Sequence, residues 1–128
     1  MKELLLRQGV RFGVFAIVFS DGSCPARSFL DEIEKNDNAS YKTLLHLIRW
    51  HADCGPIRNE RKSRKISGYD NLFEFKTDEG DRLLYFYCSG KKTVVTDGFR
   101  KGADKENRVE YKKSKLIKEL YFKEVDNG

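Results

Sequence analysis

Apolar residues crowd positions 10–19 (VRFGVFAIVF) so densely that both alternating sets are largely apolar, which predicts a strand covered on two faces. Asp21-Gly22 ends it. The pattern then changes period. Over 24–35, Phe29, Leu30 and Ile33 form a helical stripe, with Pro25 at the first helical position and Ser23 or Cys24 as cap. A turn at Asn36 to Asn38 leads into a second helix over 39–53, capped by Asp37 or Asn38. Its stripe is Tyr41, Leu44, Leu45, Ile48 and Ala52, and Gly55-Pro56 stops it. Two helices joined so closely should pair as an antiparallel hairpin.

Period-two patterning returns after a basic polar loop at 57–65 and predicts strands at 71–77, 82–88 and 92–98. Asp78-Glu79-Gly80 suits a three-residue hairpin loop with Gly80 in the left-handed position. That turn sets Lys76 opposite Arg82 and Glu74 opposite Leu84. Phe73, Phe75, Leu83, Tyr85 and Tyr87 then share the core face, while Glu74, Lys76 and Arg82 project together from the other. Facing cations cost stability unless a carboxylate or a bound phosphate offsets them. A basic loop at 99–105 follows, and 106–122 reads as a closing amphipathic helix with Val109, Leu116, Leu120 and Tyr121 as its apolar positions. The expected class is α+β, in one domain over 1–128. Residues 1–9 form a leader of unassigned structure and 124–128 a frayed end. Neither repeats, low-complexity tracts nor a linker divide the chain.

Charge sharpens this picture. Residues 1–55 carry 7 Lys/Arg and 7 Asp/Glu, whereas 56–123 carry 18 and 11, a net of +7 in the second half. Such asymmetry points to a polyanionic partner, with a merely solvated surface as the competing explanation. The longest apolar run, Val14 to Phe19, is too short to span a bilayer, and nothing resembles a signal peptide, so the expected setting is the cytoplasm without membrane association. Cys24, Cys54 and Cys88 are odd in number and lack CxxC spacing, so reduced, mostly buried thiols are expected rather than a disulfide framework or zinc site. His46 and His51 on the second helix read as structural or surface residues. Trp50, Tyr41, Tyr85 and Tyr87 read as core.

Several stretches carry a resemblance. Residues 22–30 (GSCPARSFL), 65–76 (KISGYDNLFEFK), 82–87 (RLLYFY), 97–101 (DGFRK) and the closing YKKSKLIKELYF stand in the order, and near the spacing, of the phage-derived HigB-like branch of the RelE/ParE superfamily of toxin–antitoxin toxins. Lys76 stands where that branch usually has Arg, and Asp97 where His is common. The resemblance implies a RelE-like arrangement in which the three-strand antiparallel meander joins the first strand in one sheet, beside a helical hairpin and a C-terminal helix.

It also implies a type II toxin acting as a metal-independent, cofactor-free endoribonuclease on mRNA at the ribosome. Cleavage would use the 2′-hydroxyl of the RNA as nucleophile and leave a 2′,3′-cyclic phosphate. On that reading Arg82, Arg100, Lys101 and Lys76 stabilise the phosphate, a contribution worth about 2.7–4 kcal/mol per well-placed donor. Glu74 is the general base or, alternatively, an internal ion-pair partner. Lys65 and Lys105 touch flanking phosphates, and Tyr111 stacks on a base. The implied partners are mRNA and an antitoxin, acidic in its wrapping segment and often carrying a helix-turn-helix domain. Alternatives within the same fold are a ParE-like toxin that binds DNA gyrase and an inactive nucleic-acid- or partner-binding relative.

Overall fold

The computed structural model describes residues 1–127. The chain runs β1 (Lys2–Gln8), β2 (Gly13–Val18), α1 (Pro25–Asn36), α2 (Asn38–Cys54), β3 (Ser63–Lys65), β4 (Phe73–Lys76), β5 (Asp81–Cys88), β6 (Lys92–Arg100) and α3 (Asp104–Asn127). The strands form one six-stranded sheet in the order β1-β2-β6-β5-β4-β3, antiparallel except where β2 runs parallel to β6. The α1–α2 hairpin covers one face and α3 the other, so the mixed α+β class is as expected.

Alternation along each strand divides its side chains between the two layers. On β5, Leu83 and Tyr85 enter the core under the hairpin, with Phe29, Leu30, Leu44, Leu47 and Phe75. Leu84 and Phe86 point the other way, into apolar clusters that include Ile66 and Leu72 or Ile17, Ile117 and Tyr121. The β4–β5 register is the expected one, with Lys76 facing Arg82 and Glu74 facing Leu84, and Gly80 adopts φ +102° in the turn. Gly98 is required for a different reason. A Cβ there would overlap the Phe29 ring, so its absence lets α1 settle on β6. At the helix caps, Cys24 stands at the α1 N-cap without a side-chain bond, while Asp37 caps α2 by accepting from the Ser40 amide.

Several expectations need correction. Residues 1–9 are not a bare leader: β1 pairs antiparallel with β2 and sends Leu4 and Leu6 into the hairpin core, while Glu3 accepts from Lys92 and Tyr121 on the other face. The 57–65 loop ends in β3, which pairs with β4. The loop expected at 99–105 begins later, because Phe99 and Arg100 complete β6. The closing helix is longer than 106–122 and buries only Tyr121 of its expected apolar positions: Val109, Leu116 and Leu120 are exposed, while Asn107, Ser114 and Ile117 are buried with Tyr121. Its end continues to Asn127, and Gly128 lies outside the described residues. Trp50 is partly exposed rather than core, and Cys54 is exposed. Among the described residues, no helix is long and apolar enough to cross a membrane.

Candidate functional site

The sheet face under the first half of α3 gathers cations around one carboxylate. Glu74 on β4 is wholly buried. Its carboxylate accepts from Arg64 Nε at 2.7 Å and from the Tyr111 hydroxyl at 3.0 and 3.3 Å, and it lies 3.6 Å from Arg82 Nε. Strand pairing explains the grouping. Arg64 on β3 lies directly beside Glu74, and Arg82 on β5 is one position along on the same face, opposite Lys76. Arg82 is buried, 7% exposed, and is held by polar partners: its Nη1 donates to the Thr77 and Asp81 carbonyls at 3.4 and 3.2 Å. It therefore sits in a polar niche with Glu74, Thr77 and Asp81 and not among the apolar side chains.

Lys76 is half-buried at the rim, where its Nζ donates to the Glu60 carbonyl at 3.1 Å. Burial lowers its pKa, and the nearby charges of Arg64, Arg82 and Lys101 lower it further against the opposing pull of Glu74. Glu74 acts oppositely on Arg64, raising its pKa through the shared hydrogen bond. Tyr111 also titrates high, from burial first and the Glu74 charge second. Beside Lys76 opens a cavity of about 270 Å³ lined by Asn59, Arg61, Lys62, Asp78 and Glu79, among others. Anions approaching this edge meet a predominantly basic rim whose one central carboxylate is sealed beneath Tyr111.

Not every expected residue joins this group. Lys101 does: it is exposed, its amide donates to the Gly80 carbonyl, and its charge reaches Lys76. Arg100 does not. One residue earlier on β6, it points to the hairpin side, where Nε and Nη2 grip Asp81 at 3.0 and 2.8 Å and Nη2 reaches Asp37 at 3.0 Å. Hydrogen bonds to these carboxylates raise its pKa, and Arg100 in turn lowers that of Asp37. Strand alternation is the cause, since Arg100 pairs with Asp81 and not with Arg82. Lys65 is exposed at a register position opposite Phe73, on the other face from Arg64. Lys105 is exposed in the first turn of α3. Tyr111 is turned inward onto Glu74 and against Tyr69 and Phe99, not outward as a stacking platform.

Arg64 was missed because a three-residue strand offers too little alternation to separate it from a basic loop. Asp97 was missed as a buried carboxylate. It lies under α3, where Thr96 donates to Oδ1 at 2.7 Å and Lys113 Nζ stands 3.8 Å from Oδ2, an oxygen left without a hydrogen bond. Burial pushes its pKa up to about 6. His51 is structural, as expected: buried among Phe12, Phe75, Tyr85 and Tyr87, bonded through Nε2 to Thr93 Oγ1, and depressed by burial to about 4. Among the described residues, no group of three or more His, Cys, Asp or Glu is placed to hold a metal ion.

A family model described as phage-derived protein Gp49-like (DUF891) matches residues 31–121, from the middle of α1 to the second half of α3 and including every strand of the basic face. No curated protein matches the sequence.

Proposed function

Since the chain belongs to the phage-derived Gp49-like family, we propose that it is the toxin of a type II toxin–antitoxin pair, of the HigB-like kind, and acts as an endoribonuclease on mRNA at the ribosome. One observation carries the reading: Arg64 and Arg82 converge on Glu74 on a single sheet face, with Lys76 opposite Arg82 at its rim. Arginine's planar fork and lysine's compact charge both suit a phosphodiester, and a cluster of this kind stabilises the added negative charge of a pentacoordinate phosphorus.

In the proposed reaction the RNA 2′-oxygen attacks phosphorus, the P–O5′ bond breaks, the departing O5′ takes a proton from water, and the products are a 2′,3′-cyclic phosphate and a 5′-hydroxyl. A base must take the O2′ proton. Glu74 is ill-suited in the observed geometry, since Arg64 and Tyr111 occupy both its oxygens and it has no exposure. Its role is to hold the cations in place. Lys76 suits the proton transfer better, because burial and neighbouring cations disfavour its ammonium form. Arg82 and Lys101 then offset charge on the phosphate. An antitoxin with an acidic segment and a helix-turn-helix domain completes the proposal, the acidic segment covering this basic face.

A second reading, a relative that binds nucleic acid or a partner without cutting, draws on the sealing of Glu74 beneath Tyr111. Purified protein added to ribosomes carrying a defined message separates the readings. The proposal predicts cyclic-phosphate ends that fall at least 100-fold in Lys76→Ala and Arg82→Ala, with Lys101→Ala less affected. Intact RNA with wild-type protein would overturn it, and blocked supercoiling by gyrase in the same preparation would assign the ParE-like activity instead.

A further inference from the structure

Helix α3 has two apolar faces, and the sheet uses only one. Ser114, Ile117 and Tyr121 are buried against the sheet and Asn107 against the Gly102 backbone, while Val109, Leu116 and Leu120 stand 60%, 60% and 51% exposed on the opposite side. At about 100° per residue these three fall within roughly 40° of one another, a continuous stripe down the outer face. Lys112 and Lys123 lie on the same face and are exposed. The acidic residues at its margins are engaged within the chain, Glu119 with Lys115, Glu106 with the Ala103 amide and Glu124 with the N-terminal ammonium. What remains outward is aliphatic and cationic together.

We propose that this outer face of α3 docks an acidic amphipathic helix of a partner protein. Leu116 and Leu120 are the central anchors, and Lys112 and Lys123 meet carboxylates along the partner's flanks. Charge decides the occupant. Two copies of this chain joined through the stripe would set lysines against lysines, which costs association instead of favouring it. A partner helix with Leu or Ile in its seam and Glu or Asp beside it satisfies both the apolar and the charged positions. An anionic bilayer would also take lysines and aliphatics, but the stripe is narrow and lacks the aromatic residues that anchor interfacial helices. The stripe faces away from Glu74, so the docking stands whether or not the chain cleaves RNA.

The test uses the full chain and a labelled synthetic helix with Leu at its seam and Glu on both flanks, read by fluorescence anisotropy. Saturable binding is expected. It should weaken at least tenfold in Leu116→Ser/Leu120→Ser and in Lys112→Glu/Lys123→Glu, and stay unchanged in Val10→Ser, which alters an exposed apolar residue elsewhere. Thermal unfolding midpoints of these surface variants should match the wild type. Absence of saturable binding, or binding indifferent to the stripe, would overturn the inference. So would sedimentation of the wild type as a dimer that Leu116→Ser dissolves, or capture by phosphatidylserine vesicles that the acidic peptide cannot displace.

Discussion

Asp97 and His51 are buried titratable side chains on opposite faces of the sheet, and they act on stability in opposite directions. His51 has its pKa lowered from 6.5 to about 4 by burial. Its contribution is complete above the unfolded value and is lost as pH falls from 6.5 toward about 4, since only the unfolded chain gains the proton; the whole swing is about 3 kcal/mol. Asp97 has its pKa raised from 3.8 to about 6, so its contribution is complete at low pH and is lost as pH rises through that interval. Between about pH 4 and 6 the two offset each other. Asp97→Asn, which keeps the shape under Thr96 and Ser114, should therefore raise stability near neutral pH by roughly 1–3 kcal/mol and leave it unchanged in strong acid. Urea unfolding across a pH series checks this, and the variant should also lose stability more steeply than wild type as pH falls from 6.5 to about 4. Lys76 carries the corresponding prediction for activity. With its ammonium form disfavoured, cleavage by wild type should rise with pH up to the lowered lysine pKa, and Lys76→Arg should abolish that rise in single-turnover assays.

Arg100 shows how the elements are joined. It ties the end of β6 to Asp81 on β5 and to Asp37 in the α1–α2 connection, while Ser40 of α2 donates to the same Asp81. Arg100→Ala leaves the buried Asp81 without its counter-charge and should cost about 2–4 kcal/mol in chemical denaturation. RNA affinity below the unfolding transition should be unaltered, which distinguishes a clasp from a phosphate ligand. Gly98 makes the complementary case for packing. Alanine there drives a methyl into the Phe29 ring, so Gly98→Ala should destabilise by about 1–3 kcal/mol, with partial recovery in Gly98→Ala/Phe29→Leu. The same elements show what a sequence conveys. The β4–β5 hairpin was legible because Asp78-Glu79-Gly80 sets the turn and the turn sets the register. β1 was not, because KELLLRQ acquires its meaning only when Leu4 and Leu6 meet the hairpin. The buried face of α3 was not legible either, since Ser114 is buried on Thr96 and Asn107 on the Gly102 loop while more apolar residues remain outside.

At the scale of the molecule, a central sheet buried on both faces leaves its charged chemistry at one end, where β3, β4 and β5 meet the start of α3. Glu74, Lys76 and Arg82 could be placed together from register alone, whereas Lys101 entered only through the resemblance. Arg100 could not be separated from them, because β6 carries a bulge-like shift beside β5 between Leu84 and Tyr85, and strand ends are where alternation is hardest to read. The surplus of positive charge in residues 56–123 then has a location as well as a sign. The most direct test of this arrangement is the salt dependence of binding to a short single-stranded RNA whose 2′-hydroxyls are methylated to prevent cutting. If the basic face holds the phosphates, Lys76→Ala/Lys101→Ala should lower the slope of log Kd against log salt concentration by about 1.4, roughly 0.7 per lost contact. An unchanged slope in that double variant, or a comparable loss in Arg100→Ala, would contradict the account.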